Sequence, residues 1–304
     1  MKETPSQLNV PSYVMNFPFT LDTSNPNNIW MQELSPEELK VDKRKAYKQF
    51  MDVYNFISAG ALVYLLPNEG NFQDQVYVAN LGLQLPHITD KNTILLSNYT
   101  SEPRQGEEYV GEKFFNMMGY DTHISPYKWE GEADLKYLHD NVYIGGYGIR
   151  SDIKAYEWME KNFDMNIIKV EMVDDYLYHL DCSIFPLTSE DTLICTDFYE
   201  PEEIKLIEQY TNIIDVPEHI HYYDITNAVR YGNMVLGSSF IHELDKGHEW
   251  YDGEKAKIDF MEKICYKLGL EPVFFNISEY AKSGAALSCM VMHLNRVDQN
   301  KILL

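Results

Sequence analysis

Several polar side chains able to do chemistry stand inside apolar, β-rich segments of this sequence. A thiol can act as a nucleophile, an imidazole can transfer protons, and carboxylates can hold a cationic ligand. Buried carboxylates are costly unless a cation or hydrogen bonds meet them, so a convergence of these groups would predict a site for a cation. They are Asn80 in YVANLGL, Glu130, Glu132 and Asp134 in WEGEAD, His179 and Asp181 in YHLD, Asn227 in DITNAV, and Cys289 in GAALSCM.

Some of these residues could also have a purely structural role. Cys289, between Leu287 and Met290, is typical of a small buried hydrophobe. His179 and Asp181 are two residues apart in a predicted strand, so both side chains would point to one face. Apolar residues flank that pair, which argues against a solvated edge strand and favours a shared site.

The elements that must position these residues follow a recurring order of strand, strand, helix and strand. Periods of roughly 45 to 60 residues predict a closed array, because one such unit cannot bury its own apolar face. We predict an α/β fold of five ββαβ units around a pseudo-axis, as one domain over residues 1–304, with the N- and C-terminal segments completing the fifth unit. A simple α/β sheet is the alternative. The first strands of the units are QVYVANLGL, ADLKYL, HLDCSIFPL, DITNAVRYG and SGAALSCMVMHLN, and helices are expected over 45–60, 107–118, 152–163, 202–210 and 252–268.

Composition narrows the class of protein. The formal net charge of -22, from 25 Lys and Arg against 47 Asp and Glu, gives no basic surface for nucleic acid. The four cysteines have neither disulfide-framework nor zinc-ligand spacing, and no segment resembles a signal peptide or a membrane span. A cytoplasmic protein that binds neither membrane nor nucleic acid is expected. His219 and His221 share a spacing seen in metal sites but have no third ligand nearby, so an exposed loop or strand edge is predicted for them, and no metal.

Several motifs in the same order resemble the guanidino-group modifying enzymes of the pentein fold, a five-fold pseudosymmetric α/β-propeller. This superfamily comprises arginine deiminases, dimethylarginine hydrolases and amidinotransferases. The resemblance covers nearly the whole chain and is strongest to the arginine dihydrolases. It rests on MNFPFTL, QVYVANLGL, EPRQGEE, WEGEADLKYLHDNVYIGGYGIRSD, YLYHLDCSIFPL and KSGAALSCMVMHL.

The resemblance implies a covalent mechanism without metal or organic cofactor. In that reading the Cys289 thiolate attacks the guanidinium carbon of L-arginine, and His179 protonates the departing amine and then activates water. Asp181 would hold guanidinium nitrogens through charge-assisted hydrogen bonds. Cys182, beside the His-x-Asp pair, is interpreted as structural.

The acidic cluster leaves a choice of carboxylate. Family members carry a carboxylate after an apolar or aromatic residue and a few positions before an Asp, which fits Glu130 after Trp129. The spacing is one residue longer than in deiminases, so Glu132 stays as the alternative. Asp134 is expected to support the site instead of reacting.

Asn80 stands where deiminases and dimethylarginine hydrolases place Asp, as it does in the dihydrolases. An amide donates as well as accepts hydrogen bonds, so Asn80 could hold the carbonyl oxygen of a citrulline-like intermediate for a second attack. The resemblance assigns Arg104 and Arg150 to the substrate carboxylate, and it places Asn16 and Asp74 near the amino-acid end of the substrate.

The expected reaction is hydrolysis of L-arginine to ornithine, carbon dioxide and two ammonia. A deiminase that stops at citrulline, an amidinotransferase and an inactive binding protein are the alternatives. Relatives often continue into a C-terminal ornithine-processing domain, and the given sequence ends at Leu304. Whether such a domain or a homo-oligomer exists is left open.

Overall fold

The computed structural model describes residues 3–297. Within this range, five three-stranded sheets form, and each has a pair of antiparallel strands followed by a third, parallel strand. The strands are β1 Ser12–Met15, β2 Leu62–Leu65, β3 Gly82–Gln84, β4 Thr93–Leu96, β5 Asp121–Ile124, β6 Leu135–His139, β7 Val142–Tyr147, β8 Asn166–Glu171, β9 Ile184–Pro186, β10 Asp191–Ile194, β11 Asn212–Asp215, β12 Val229–Tyr231, β13 Met234–Ser238, β14 Glu271–Phe275 and β15 Met292–His293.

A helix connects the second and third strands of every sheet, as a parallel pair requires. The helices are α1 Ile29–Glu33, α2 Pro36–Leu39, α3 Lys43–Ser58, α4 Glu107–Met118, α5 Ile153–Phe163, α6 Pro201–Ile207, α7 Tyr251–Leu268 and α8 Ser278–Ala281. Asp152 caps the N-terminus of helix α5, and its side chain accepts a hydrogen bond from Lys154 N. Gly269 caps the C-terminus of helix α7 and has a left-handed φ of 69°. These signals explain why the predicted helix bounds lie within a few residues of the observed ones.

The fifth sheet is made from both ends of the chain. Strand β1 pairs with β15 in antiparallel register, Tyr13 opposite His293, and with β2 in parallel register through α3. The predicted set of five ββαβ units with a split fifth unit is therefore present. The five sheets fit a five-fold pseudosymmetry.

Each of five hydrophobic clusters joins two successive units. One example packs Leu83 and Leu95 of the first complete unit against Leu135 and Tyr143 of the second. Another packs Val14 and Met292 of the split unit against residues of the first complete unit, such as Ile94. Because every unit shares its apolar face with its neighbours, no single unit has a core of its own.

Four buried 3₁₀ turns precede the first strands of four units, and we call them the inner turns. They are Val78–Leu81, Gly131–Ala133, Leu180–Cys182 and Ser288–Met290. Gly131 has φ +66°, and a Cβ there would lie 2.4 Å from the carbonyl oxygen of Ala79. Glycine at this position therefore lets two inner turns approach closely.

The inner turns correct one expectation. Asn80, Asp181 and Cys289 lie in the turns, and His179 lies one residue before a turn, whereas the sequence pattern placed all of them in strands. The apolar residues that line the turns also fit strand alternation, so hydrophobic periodicity could not separate the two. His179 and Asp181 are consequently not on one strand face.

His219 and His221 also differ from expectation in part. They belong to a 3₁₀ turn and its end, where His219 is exposed but His221 is buried and donates from Nε2 to the Val216 carbonyl oxygen at 2.6 Å. Among residues 3–297 no cluster of His, Cys, Asp and Glu has the makings of a metal site. No helix in the same range combines the length and apolarity needed to cross a membrane.

Candidate active site

One cleft collects most of the predicted site residues, and we call it the cysteine cleft. The inner turns and the segments just before them supply much of its lining, and the loops after β4 and β7 and the segments beside α1 and α8 supply the rest. The predicted residues that line it are Asp74, Asn80, Arg104, Glu130, Arg150, His179 and Cys289.

Glu130 and His179 form the shortest contact between two ionisable side chains of the cleft. The Nε2 atom of His179 lies 2.8 Å from Glu130 Oε2, and the other Glu130 oxygen accepts from the backbone N–H groups of Thr100 and Ser101. Burial raises the pKa of Glu130, but the His179 hydrogen bond and the charge of Arg150 outweigh it and lower the pKa to about 2. Glu130 is thus an ionised anchor that orients the imidazole.

Cys289 is buried at the edge of this cleft. Burial and the negative charge of Asp181 raise the pKa of its thiol to about 12. Asn227 counteracts this by donating from Nδ2 toward Sγ at 3.6 Å, and Lys136 lowers the pKa through its charge. The thiol is therefore protonated at neutral pH until a cation arrives beside it.

Asp181 lies behind Cys289 instead of lining the cleft. Its Oδ2 atom accepts a hydrogen bond from Ser288 Oγ at 2.6 Å and is 4.0 Å from Cys289 Sγ. The carboxylate is fully buried. The structure therefore brings Asp181 to the nucleophile candidate, but through an inner turn instead of a strand.

The three carboxylates of the acidic cluster lie in three different environments. Glu132 faces away from the cysteine cleft and is held by His293 at 2.8 Å and Arg296 at 2.9 Å. Asp134 accepts from Ser151 Oγ and from Leu180 N, so it fixes the backbone next to His179. Burial raises the pKa of Asp134 to about 6. Of the three, Glu130 alone lines the cleft with Cys289 and His179.

Two arginines also line the cleft. Arg104 forms a buried ion pair with Glu107 at 2.7 Å and donates to the Tyr77 carbonyl oxygen. Arg150 donates to the Asn27 carbonyl oxygen at 2.7 Å, and its Nη1 lies 3.5 Å from Glu130 Oε2. Both guanidinium groups therefore have protein partners.

One carboxylate oxygen of Asp74 has no hydrogen-bond donor among the described residues. Its Oδ2 accepts from Asn27 Nδ2 at 2.7 Å, whereas Oδ1 is buried without a hydrogen-bond partner among the described residues. Burial raises the pKa of this carboxyl, with Arg104 acting in the opposite direction. An unpartnered carboxylate oxygen in a cleft suits a ligand ammonium group.

Asn16 is not brought to the cleft. Its side chain is fully buried at the end of β1 and donates from Nδ2 to the Leu66 carbonyl oxygen at 2.9 Å. It thus satisfies a backbone group beyond the β1–β2 pair, while its Oδ1 is buried without a hydrogen-bond partner among the described residues. A substrate contact for Asn16 stays a prediction.

Sequence reasoning missed Asn27, Tyr178 and Glu107. Asn27 connects three residues around the cleft by hydrogen bonds. Its side chain donates to Asp74 and Ser101, and its carbonyl oxygen accepts from Arg150. The only sequence signal was the NPNN segment just before α1, where Asn28 caps the helix by accepting from Met31 N.

Two solved structures share the fold of this chain. The N-terminal domain of ArgZ, in a variant covalently bound to a reaction intermediate, aligns with a TM-score of 0.80 at 21% identity, covering 93% of this chain and 97% of that one. A dimethylarginine dimethylaminohydrolase variant carrying an S-methyl-L-thiocitrulline adduct aligns with a TM-score of 0.68 at 18% identity, covering 93% and 99%. The chain therefore has the fold of these two structures.

A family model identifies the family of this chain. The model for eukaryotic N,N dimethylarginine dimethylhydrolases matches residues 15–296, and the chain belongs to that family. The bifunctional arginine dihydrolase/ornithine cyclodeaminase AgrE of a Nostoc species is 22% identical over 86% of this chain and 35% of its own length. The N(G),N(G)-dimethylarginine dimethylaminohydrolase of Mycobacterium tuberculosis is 24% identical over 93% of this chain and 85% of its own. The chain thus spans about a third of the bifunctional relative.

Proposed function

We propose that this protein is an arginine dihydrolase, a hydrolase that cleaves C–N bonds of the L-arginine guanidino group through Cys289. The observation that carries the proposal is the meeting of Cys289, the Glu130–His179 pair and the amide of Asn80 in one cleft. Nucleophile, acid–base group and an amide donor are the parts that two successive hydrolyses need.

The guanidinium ion supplies the charge that Cys289 lacks. In the free protein the pKa of the thiol is raised to about 12 by burial and by Asp181. A guanidinium bound in the cleft lies beside Cys289, with Asp181 behind the thiol, and stabilises the thiolate, so that only a correctly placed cation activates the nucleophile.

The first hydrolysis follows from this ionisation. The Cys289 thiol gives its proton to His179, Sγ bonds to the guanidinium carbon, His179 donates that proton to the departing nitrogen, and ammonia leaves with its C–N electron pair. The resulting S-alkylthiouronium is attacked by water, which loses a proton to His179, and breaking of the C–S bond yields citrulline and free Cys289.

The second hydrolysis repeats these steps on the ureido group. Asn80 lies with Nδ2 3.4 Å from His179 Nε2, and its amide can donate to the ureido oxygen that a carboxylate would repel. Sγ displaces the second ammonia, and water releases a carbamate that decomposes to ornithine and carbon dioxide. The sum is arginine plus two water giving ornithine, carbon dioxide and two ammonia.

The cleft offers matching groups for the amino-acid end. Asp74 Oδ1 suits the substrate α-ammonium, and Arg104 and Arg150 suit the α-carboxylate. The experiment is to count products with purified protein and L-arginine: two ammonia and one ornithine per arginine are expected. One ammonia with accumulating citrulline would replace the proposal with a deiminase.

A second candidate is hydrolysis of dimethylarginine, which the family model favours. Asn80 argues against it within this proposal, because one hydrolysis needs no group that retains citrulline. Parallel assays with asymmetric dimethylarginine distinguish the two, since that reaction would release dimethylamine. An amidinotransferase would instead consume added glycine or ornithine.

We also propose that the five units close into one ring as a single domain. The five hydrophobic clusters support this, since each joins two successive units and the split unit contacts both of its neighbours in that order. The four cysteines carry free thiols, which supports a reducing, cytoplasmic location.

A further inference from the structure

A second cavity lies on the other side of the inner turns, and we call it the lysine cavity after Lys136. Its lining includes Ala79 and Ser288, each of which is next in sequence to a residue of the cysteine cleft, Asn80 and Cys289. The two cavities are therefore separated by the thickness of the same turns.

Lys136 reaches toward the cysteine cleft from this cavity. It stands on β6, its side chain is 14% exposed, and its Nζ lies 3.9 Å from Asp181 Oδ2. Among the described residues this is the closest charged or hydrogen-bonding contact of the Lys136 ammonium. The lysine is thus a half-buried cation whose closest carboxylate is that of Asp181, and its charge also acts on Glu132, which lines the same cavity.

Asp181 connects Lys136 to the nucleophile. The same Oδ2 atom is 3.9 Å from Lys136 Nζ and 4.0 Å from Cys289 Sγ, and it accepts from Ser288 Oγ. A thiolate at Cys289 would stand next to this carboxylate in a low-dielectric interior, where two anions repel strongly. One cation on the far side of the carboxylate reduces that repulsion.

Other groups also face this pair. Asn227 donates to Cys289, and no second lysine or arginine is among the groups that act most strongly on the thiol. The ionisable groups that act electrostatically on Cys289 or Asp181, besides Lys136, are Tyr77, Tyr178, Cys182 and Asp224, which become anions when they ionise. Arg150 and, when protonated, His179 are cations that line the cleft with Cys289. Among the described residues, Lys136 is the one that forms an ion pair with the Asp181 carboxylate.

We propose that Lys136 is a positioning residue for the nucleophile, which acts through Asp181 from the lysine cavity and holds the Asp181 carboxylate and the Cys289 thiolate side by side. This deepens the proposed function, because it takes Cys289 as the nucleophile. Lys136 touches neither substrate nor the reacting atoms, and its contribution is its charge.

The test measures alkylation of Cys289 by iodoacetamide as a function of pH, without any substrate, by mass spectrometry of the Cys289 peptide. In Lys136→Met the alkylation profile should move to higher pH, and the rate at a fixed pH near 8.5 should fall by roughly three- to tenfold. Lys136→Arg retains the charge and should keep a profile close to that of the unaltered protein.

Lys154→Met is the matched control, because Lys154 is exposed on α5 and its removal changes net charge equally. An unchanged profile in Lys136→Met, or an equal shift in Lys136→Arg or Lys154→Met, would overturn the proposal. If Lys136→Met does not fold by circular dichroism, Lys136→Gln takes its place with the same expected shift.

The experiment also separates this inference from the proposed function. A shifted alkylation profile in a protein that does not hydrolyse arginine would support the role of Lys136 and reject the dihydrolase. Full arginine turnover with an unmoved profile would do the reverse.

Discussion

In the proposed function, the number of hydrolyses depends on Asn80. It is buried and lies 3.4 Å from His179, so a substituted carboxylate would face the ureido oxygen as a second acceptor. We predict that Asn80→Asp accumulates citrulline and lowers ornithine yield by roughly ten- to a hundredfold. Amino-acid analysis of the products measures this.

The companion variant is Asn80→Ala, which removes the donor without adding charge. It should lose the second step more than the first. Unchanged ornithine yield in Asn80→Asp would contradict the role assigned to this amide.

Glu130 links the site to stability in acid. Its pKa is lowered to about 2 in the folded state by His179 and Arg150 despite burial, against an ordinary value of 4.5. The stabilisation is therefore complete above about pH 4.5 and is lost as pH falls toward 2. As the pH falls through this window, the free energy of unfolding should decrease in both proteins. We predict that the decrease is smaller in Glu130→Gln than in the unaltered protein, by on the order of 1–3 kcal/mol.

Urea unfolding at several pH values measures that difference in slope. Glu37→Gln, at an exposed position with no described side-chain hydrogen bond, should keep the unaltered slope. Parallel curves for Glu130→Gln and the unaltered protein would show that Glu130 is not held as an ionised anchor.

At the scale of elements, the inner turns decide how closely the reacting groups approach. Gly131 meets the turn that carries Asn80, and a Cβ there would be 2.4 Å from Ala79 O at a φ of +66°. We predict that Gly131→Ala destabilises the protein by about 2–4 kcal/mol and lowers turnover, because clash and backbone strain add. Denaturant midpoints and arginine turnover measure the two effects.

Gly232 provides a matched control, since it has a φ of +59° but no atom within 4 Å of a substituted Cβ. Gly232→Ala should cost about 1 kcal/mol from strain alone and should leave turnover unchanged. Equal effects of the two substitutions would mean that the approach of the turns is not limiting.

The elements also show where sequence reasoning succeeds and fails. Helix bounds followed from local signals such as Asp152 and Gly269, and the five ββαβ units from hydrophobic periodicity. The 3₁₀ turns were not predicted, because burial in the middle of the molecule depends on contacts between distant segments. Asn27 was missed for the same reason, since the partners of Asn27 are at residues 74, 101 and 150.

At the scale of the whole molecule, the two termini meet in one sheet. Strands β1 and β15 pair although Tyr13 and His293 are 280 residues apart, the difference of their numbers. We predict that a circular permutant folds when residues 297 and 3 are joined by a linker of about ten Gly and Ser residues and the chain is opened after Lys246. Residues 245–249 are exposed and lie outside every sheet.

Circular dichroism and arginine turnover should match the unaltered protein within a few-fold. Opening the chain after Ile144, inside β7, is the control that should fail, because β7 is the middle strand of its sheet. Failure of both permutants alike would show that the continuity of the chain near Lys246 matters more than the sheets do.

The split sheet also sets the order in which the proposed site can be assembled during synthesis. Of the described elements, β1 leaves the ribosome among the first and its partner β15 leaves last, shortly after Cys289. Such long-range pairing is slow, and a nascent chain that has not reached Cys289 holds Asn80, Glu130 and His179 without the proposed nucleophile. A copy that stops before Cys289 therefore lacks both the proposed nucleophile and the strand that completes the split sheet.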